Sequence, residues 1–318
     1  MDFLNINKYF LEDGDKKLLV LDAENASVKL PDWYSINQEA IEKEILIYGG
    51  ILFRNFNIYS VSEFNKVAQS IIPDLSDYVY RSTPRTKLGA KIYTATEYPA
   101  SQTIPLHNEN AYSRLWPCKI LFCSILVADE GGETPVADSR KVYNLIDPKI
   151  REKFEEKEVL YVRNYRNGVD LPWQEVFQTE SREEVERYCT KQNISFEWDS
   201  DTAELTTRQV AQSTLTHPLT KEKVWFNQAH LFHISALEKA AQESLLKEFG
   251  EKGLPRNSFY GDGTRIEEQE LNHIREVYDS QKLKFRWEKG DVLLLDNVLM
   301  THGRKPYKGE RKVVVAMG

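Results

Sequence analysis

Cysteine is scarce in this 318-residue sequence, which contains only three, and no two of them form a Cys-x-x-Cys pair. So few cysteines, odd in number, argue against a disulfide framework and against a zinc site built from thiolates. The sequence also lacks an apolar run of the roughly 18 residues that a membrane-spanning helix needs, and its charged N-terminal segment does not match a signal peptide. These absences predict a cytoplasmic protein without a membrane anchor.

An excess of positive charge is likewise missing, because 42 lysine and arginine residues stand against 49 aspartate and glutamate residues, a formal net charge of −7. A negative net charge removes the electrostatic basis for sequence-independent binding to nucleic acids. Hydrophobic residues make up 41% of the chain and charged residues 29%, which is the mixture of a folded globular protein. We therefore expect no nucleic acid among the partners of this protein.

No Pro/Gly/Ser-rich linker, low-complexity tract or internal repeat divides the sequence. A chain of this length can form one large domain. We predict a single domain over 1–318, with an N-terminal helical and strand region over about 1–75 packed on a barrel, and a helix-rich insertion over about 145–280.

Hydrophobic periodicity predicts a mainly β core interrupted by helices. Helices are predicted before Gly49 and over 61–71, about 148–157, 181–192, 234–249 and 265–279. Short β-type runs predict strands over 51–53, 91–98, 104–112, 119–128, 159–165, 194–200, 204–210, 223–227, 291–296 and 311–317. Short strands near both ends of the chain, with helices between them, favour a jelly-roll barrel, or double-stranded β-helix, flanked by helices.

One of the six histidines has an acid two residues on, in His107-Asn108-Glu109. With 49 acids in 318 residues, about one such pair arises by chance, so the spacing alone carries no weight. On a strand, however, alternate side chains share one face, so both groups would point into one pocket. His302, which follows the apolar run at 291–296, is the candidate third ligand. Two histidines and one carboxylate form the metal site of non-heme iron(II) oxygenases.

Three blocks of the sequence resemble the taurine dioxygenase and clavaminate synthase-like family of iron(II)- and 2-oxoglutarate-dependent dioxygenases, the TauD/TfdA family. They are PLHNENAYSRLWPCKILFC at 105–123, GGETPVADSRKVY at 131–143 and GDVLLLDNVLMTHGRKPYKGERKVVVAM at 290–317. Two further segments, at 167–189 and 224–235, are similar to the branch that contains a syringomycin-pathway aspartyl hydroxylase. The blocks occur in the family's order.

The resemblance implies a role for five residues. His107, Glu109 and His302 match the family's iron(II) ligands, and Thr134 and Arg311 match the residues that bind 2-oxoglutarate. A guanidinium suits this task because its paired donors fit a planar carboxylate. Three protein ligands leave three positions on an octahedral iron, two for 2-oxoglutarate and one for O2, the second cosubstrate.

Two positions limit the range of possible substrates and reactions. Sulfonate-using members carry a second arginine four residues after the cosubstrate arginine, where this chain has Val315, so taurine is disfavoured. Halogenases of the family replace the carboxylate ligand with a small residue, whereas Glu109 is present here. The remaining polar candidates for substrate binding are Asn110, Tyr112, Asn227 and Arg304. The other histidines are interpreted as structural: His217, His230, His233 and His273.

The function implied by the resemblance is hydroxylation of an unactivated C–H bond in an amino acid or amino-acid-like substrate, free or attached to a carrier protein, during specialised metabolite (antibiotic) biosynthesis. Two alternatives stay open: a catabolic dioxygenase of a small carboxylic acid or amine, and a jelly-roll binding protein without catalytic activity. The sequence decides neither between hydroxylation and desaturation nor between a monomer and a homo-oligomer.

Overall fold

The computed structural model describes residues 6–24, 27–89, 91–166, 168–202 and 204–318. The helices are α1 (Leu30–Tyr48), α2 (Val61–Ile71), α3 (Ser139–Leu145), α4 (Pro148–Lys157), α5 (Trp173–Phe177), α6 (Arg182–Lys191), α7 (Ala229–Phe232), α8 (Lys239–Phe249) and α9 (Glu268–Gln281), with a 3-10 turn at Ile234–Ala236. The strands are β1 (Asn7–Asp13), β2 (Lys16–Asp22), β3 (Gly50–Arg54), β4 (Lys87–Gly89), β5 (Ile92–Thr94), β6 (Ile104–His107), β7 (Lys119–Leu126), β8 (Glu130–Gly131), β9 (Val136–Asp138), β10 (Val159–Tyr165), β11 (Ser195–Trp198), β12 (Leu205–Ala211), β13 (Thr214–Thr216), β14 (Lys223–Trp225), β15 (Arg256–Tyr260), β16 (Val292–Asp296), β17 (Met300–Arg304), β18 (Tyr307–Lys308) and β19 (Lys312–Met317).

The largest sheet has eight strands in the order β1-β2-β3-β16-β7-β19-β5-β4. Its central strands are buried on both faces, because successive side chains alternate between two apolar cores. Leu294 and Val314 join the core beneath α1 and α2, whereas Leu293 and Val315 join the core inside the barrel. The helices therefore cover one face of the sheet, and the other face lines the barrel.

A second, three-stranded sheet has the order β6-β17-β9 and carries both candidate histidines. Val136 of β9 and Met300 of β17 belong to the same barrel core as residues of the large sheet. The prediction of a jelly-roll core flanked by helices is confirmed.

The segment from α4 to α9 builds a separate layer around a four-stranded sheet, β11-β12-β10-β15. Its apolar core includes Phe154, Trp225 and Tyr260, and the Phe154 ring contacts each of the other two rings edge to face. His230 fastens this layer to the barrel, because its Nε2 atom lies 3.1 Å from the carbonyl oxygen of Leu106, next to His107. This layer thus borders the candidate site.

The structure departs from the predicted elements in several places, and elements that were not predicted include β9, β15, β17, α3, α5 and α7. The strand predicted over 104–112 ends at His107, and the helix predicted over 234–249 is split into a 3-10 turn and α8. The hairpin β1–β2 is an addition, although the apolar run Leu18–Leu21 marks its inner strand. Within the described residues, no helix is long and apolar enough to cross a membrane.

Candidate active site

Three side chains from distant parts of the chain meet at one end of the three-stranded sheet. Potential ligand atoms of His107, Glu109 and His302 all lie within 4.8 Å of one another. His107 and His302 are register partners on the antiparallel strands β6 and β17, and their ring centroids are 4.5 Å apart. Pairing of the two strands therefore brings the early and late imidazoles together.

Gly303 allows this close pairing of β6 and β17. A Cβ atom at this position would lie 2.6 Å from the carbonyl oxygen of Ile104, far too close for any larger residue. The register of the two strands shifts between His302 and Arg304, around this glycine. The glycine that follows His302 is therefore a steric requirement of the site.

Glu109 reaches the histidines from a turn and not from a strand, which corrects the prediction that strand alternation aligns it with His107. Asn297 holds the turn: its Oδ1 accepts a hydrogen bond from the Glu109 backbone N–H at 2.8 Å, and its Nδ2 donates to the Glu109 carbonyl at 3.0 Å. Asn108 is fully buried and donates to the Asn297 carbonyl oxygen, at 2.6 Å. Hydrogen bonds to the chain after β16 thus replace strand geometry in placing Glu109.

The Glu109 carboxylate forms a buried ion pair that the sequence did not indicate. Arg85 Nη2 lies 2.6 Å from Glu109 Oε2, and the two side chains are only 2% and 3% exposed. His302 Nε2 lies 3.7 Å from the same oxygen. Burial raises the pKa of Glu109, but Arg85 and the two histidines outweigh it and hold the pKa well below the ordinary value. The carboxylate is therefore ionised at neutral pH.

The donor set fits a divalent metal ion. Burial, reinforced by His302, lowers the pKa of His107 to about 4, so this imidazole is neutral at pH 7 and can donate a lone pair. His107 Nδ1 lies 2.9 Å from the Pro105 carbonyl oxygen, which leaves Nε2 for a metal. Nδ1 of His302 is buried without a hydrogen-bond partner among the described residues. Two imidazoles and one carboxylate make the facial triad of iron(II) oxygenases.

Thr134 and Arg311 lie together in a narrow cavity that is also lined by His107 and His302. The Thr134 hydroxyl accepts a hydrogen bond from Trp287 Nε1 at 3.0 Å, so its own hydrogen can point elsewhere. Both residues predicted to bind 2-oxoglutarate therefore face the same space as two of the predicted metal ligands.

Arg311 is a partly buried cation that forms no ion pair among the described residues. Its Nε donates to the Gly132 carbonyl oxygen at 3.1 Å, and burial lowers its pKa to about 10, which leaves it charged at neutral pH. Gly132 has a φ of +73°, and a Cβ atom there would meet the Arg311 side chain at 3.0 Å. The Gly-Gly turn thus makes room for a guanidinium whose remaining donors suit a carboxylate.

The four predicted substrate-binding side chains are engaged within the protein. Tyr112 donates to the Tyr80 carbonyl oxygen at 2.6 Å, and Asn110 Oδ1 lies 3.2 Å from the Tyr112 hydroxyl. Asn227 is buried and donates to the Ser213 carbonyl oxygen at 2.8 Å. Arg304 donates to three backbone carbonyls and lines the cavity of Thr134 and Arg311. Their contact with substrate stays a prediction.

A second cavity of about 90 Å³ also borders the candidate ligands. It is lined by His107 and Glu109 and by Gln228, Phe232 and Arg256, the last three from the α4–α9 layer. It shares Phe232 and Arg256 with an outer groove of about 770 Å³. We name these two spaces the inner cavity and the outer groove; together they give access to the triad.

Charged groups stand where the inner cavity meets the outer groove. Arg256 pairs with Asp170 through two hydrogen bonds, at 2.7 Å from Nε and 2.5 Å from Nη2. Gln228 donates to the Asn108 carbonyl oxygen at 2.7 Å, so it links the cavity wall to the turn before Glu109. A polar ligand entering the groove therefore meets both a cation and an anion before it reaches the triad.

Sequence reasoning missed Arg85, Asn297, Gln228 and Arg256. Asn297 and Gln228 stand directly beside noted residues, in DNV and FNQ, but nothing in those patterns marked them. Arg85 lies in an unremarkable polar stretch, RSTPRTK, more than 20 residues before its partner. The four histidines interpreted as structural do make structural contacts; His217, for example, lies 3.1 Å from Asp296.

Comparisons with known proteins agree with the fold and show the family. The family model "Taurine catabolism dioxygenase TauD, TfdA family" matches residues 14–317. The dapdiamide synthesis protein DdaC of Enterobacter agglomerans is 41% identical over 307 residues, covering 96% of this chain and 92% of the relative. A clavaminate synthase-like protein of Arabidopsis thaliana is 27% identical over 279 residues, covering 85% of this chain and 81% of the relative.

Among solved structures, PvcB of Pseudomonas aeruginosa shares the fold, with a TM-score of 0.57 at 12% identity, over 98% of this chain and 91% of that one. A second PvcB structure, with a TM-score of 0.55, is described as an Fe, alpha-ketoglutarate dependent oxygenase from an isonitrile synthetic pathway. The resemblance stated from the sequence is confirmed, and with it the prediction of an enzyme that uses iron(II), 2-oxoglutarate and O2. The chain belongs to the TauD/TfdA family of non-heme iron(II)- and 2-oxoglutarate-dependent dioxygenases.

Proposed function

We propose that His107, Glu109 and His302 hold the catalytic iron(II), and that the enzyme oxygenates an unactivated C–H bond of an amino acid or amino-acid-like substrate. The observation that carries the proposal is the convergence of the three ligand atoms within 4.8 Å. The neutral imidazole of His107 and the ionised carboxylate of Glu109 are the protonation states that metal binding requires.

When bound, the iron and 2-oxoglutarate supply the oxidising chemistry, with release of succinate and CO2. The chain supplies binding and placement. Arg311 and Thr134 hold 2-oxoglutarate, since both line the cavity beside the two histidines and Arg311 has no competing carboxylate among the described residues. The inner cavity places the substrate beside His107 and Glu109 and limits the access of water.

Two observations support an amino-acid-like substrate. The pair of Arg256 and Asp170 offers one charge of each sign at the entrance of the inner cavity, which suits a ligand carrying amino and carboxyl or carbonyl groups. The relative at 41% identity is named for the synthesis of dapdiamide, which favours a biosynthetic role. Oxygenation in specialised metabolite biosynthesis follows as the proposed role.

The outer groove supports a substrate that arrives at the end of a longer carrier. Its volume of about 770 Å³ far exceeds the 90 Å³ of the inner cavity, so it can hold more than the group that reacts. Carrier-protein presentation is accordingly the delivery that we propose, with the free amino acid as the competing possibility in the test.

We also propose that 1–318 form one dioxygenase domain located in the cytoplasm. Helices α1 and α2 of the predicted region 1–75 pack on the barrel sheet, and the α4–α9 layer supplies the wall of the inner cavity. The three cysteines are free thiols, which a reducing compartment maintains.

The test is a screen of free and carrier-loaded amino acids with the iron- and 2-oxoglutarate-supplied enzyme, followed by mass spectrometry. A gain of about 16 Da in one substrate, matched by succinate, is the expected result for insertion of one oxygen atom. A loss of about 2 Da would redirect the assignment to desaturation. Oxygenation of small catabolic acids alone would contradict the biosynthetic role, and no succinate with any substrate would contradict catalysis.

A further inference from the structure

Arg85 is a buried charged residue beside the candidate ligands that the function described above does not use. The residue is 6% exposed, and its carbonyl oxygen accepts a hydrogen bond from Arg81 at 3.1 Å. Its guanidinium lies over the Tyr78 ring, 4.5 Å from the centroid. These contacts fix the group in position, and Glu109 binds it through Nη2.

The other donor atoms of the Arg85 guanidinium lack a hydrogen-bond partner in the part of the chain that the structure describes. Nε and Nη1 of Arg85 are buried and have no hydrogen-bond partner among the described residues. Leaving buried donors unpaired is costly, so such donors in a native protein call for an acceptor. Arg85 also lines the cavity of Thr134 and Arg311, whereas it is not among the residues that line the inner cavity.

Two arginines, Arg85 buried and Arg311 partly buried, therefore share one cavity, each with unused donors. Arg311 is next to Thr134 and the Gly132 carbonyl, whereas Arg85 is next to Glu109. The only negative charge that contacts either guanidinium in the described residues is that of Glu109, which a divalent metal would attract in its turn. A ligand with a carboxylate at each end matches this arrangement.

We propose that Arg85 is a second cationic anchor for 2-oxoglutarate, which donates to the carboxylate at the metal end while Arg311 holds the carboxylate at the far end. Position 315, where sulfonate-using members carry an arginine, is a fully buried valine here, so Arg85 brings a second arginine to the site from another part of the chain. The inference rests on the proposed iron site and adds a residue to its cosubstrate cavity.

The experiment measures metal and cosubstrate binding separately, without turnover. Mn(II) binding is followed by the electron paramagnetic resonance signal of the free ion, and 2-oxoglutarate binding by calorimetry at saturating Mn(II) under nitrogen. R85Q should raise the Kd of 2-oxoglutarate about 10- to 150-fold, the effect of losing hydrogen bonds to a charged group. The control R265Q, at an exposed arginine paired with Glu251, should leave both constants within about two-fold of wild type, because such surface pairs contribute little.

A Kd for 2-oxoglutarate within two-fold of wild type in R85Q, at saturating Mn(II), would overturn the inference. Weakened Mn(II) binding alone would do the same, because Arg85 would then serve only to position Glu109. If R85Q does not fold, the test uses R85K, which keeps the positive charge but not the paired donors of the guanidinium. Wild-type affinity for 2-oxoglutarate in folded R85K would overturn the proposal. Loss of Mn(II) binding in R85K would also overturn it.

The double variant R85Q/R311Q tests whether the two arginines bind opposite ends of 2-oxoglutarate. Independent contacts with two carboxylates predict that the fold losses of the single variants multiply, whereas a smaller combined loss would overturn the assignment to separate ends. Failure of the proposed function looks different, since the wild-type protein would then bind neither Mn(II) nor 2-oxoglutarate.

Discussion

The two cavities beside the candidate ligands differ in origin. The cavity lined by Thr134 and Arg311, here called the cosubstrate cavity, is built by barrel strands and their turns. Thr134 precedes β9, and Arg311 precedes β19. The inner cavity takes Gln228, Phe232 and Arg256 from the α4–α9 layer. In the proposed function, barrel residues hold the metal and 2-oxoglutarate, and residues of the inserted layer contact the substrate. Mutations on the two sides should accordingly separate cosubstrate binding from substrate choice.

Removing Glu109 should reduce turnover more than any other change, because cosubstrate binding and substrate oxygenation both depend on the metal that the triad holds. Glu109→Ala should abolish turnover and Mn(II) binding, since the ion loses its only carboxylate ligand. The change also leaves Arg85 buried without its partner, which should lower the free energy of unfolding by about 3–5 kcal/mol. Retained turnover would refute the assignment, and Glu109→Gln, which keeps the side-chain volume, controls for packing.

Arg311→Ala should weaken the binding of 2-oxoglutarate without weakening the binding of the metal. Loss of a charge-assisted pair, worth about 1.5–3 kcal/mol, should raise the Kd of 2-oxoglutarate roughly 10- to 150-fold while Mn(II) binding persists. The measurement is titration of 2-oxoglutarate at saturating Mn(II). Unchanged affinity would mean that another basic residue holds the far carboxylate.

Arg256→Gln tests the substrate side. We expect the KM of the best substrate from the screen to rise about ten-fold, through loss of one charged contact, with an unchanged Kd for 2-oxoglutarate. Arg265→Gln, a surface change in the same layer, serves as the matched control. Equal weakening of substrate and cosubstrate by Arg256→Gln would erase the distinction between the two cavities.

Thr134→Ala should have a smaller effect on the cosubstrate side. A neutral hydroxyl contact contributes about 0.5–1.5 kcal/mol, so the Kd of 2-oxoglutarate should rise roughly two- to thirteen-fold. Thr134→Ser, which keeps the hydroxyl, should restore most of the affinity. A loss as large as that of Arg311→Ala would show that the threonine does more than donate one hydrogen bond.

Stability should depend on pH through His230, which joins the inserted layer to β6. Burial lowers its pKa to about 3 from an ordinary value of 6.5. Below pH 6.5 the unfolded chain therefore takes up a proton that the folded chain does not, and stability falls by as much as about 1.4 kcal/mol per pH unit. Urea unfolding at pH 7.5 and 5.5 should show this loss, and His230→Gln should reduce it. The same pH dependence in the variant would contradict the assignment.

The sequence predicted more of the barrel and its site residues than of the α4–α9 layer. His107, His302, Thr134 and Arg311 lie in blocks where strand runs, glycine turns and family resemblance coincide. Val315, the residue on which the prediction against taurine rests, is buried in the barrel core. The barrel could therefore be inferred from local patterns and their order.

Long-range polar contacts were beyond local patterns. Asn297 holds the Glu109 backbone across 188 residues, and Arg85 reaches the Glu109 carboxylate from a polar stretch with no periodic signal. The strand predicted through Glu109 failed for the same reason, because hydrogen bonds from Asn297 favour a turn over continued pairing. Substrate-side residues were missed because the chain between α4 and α9 gives no sign of which side chains face the barrel.

The most direct test of the central claim is to locate Mn(II) in crystals by anomalous scattering, with 2-oxoglutarate present under nitrogen. We predict one strong peak within bonding distance of His107, Glu109 and His302. A peak at any other group of side chains, or ordered 2-oxoglutarate without metal between these three residues, would contradict the account.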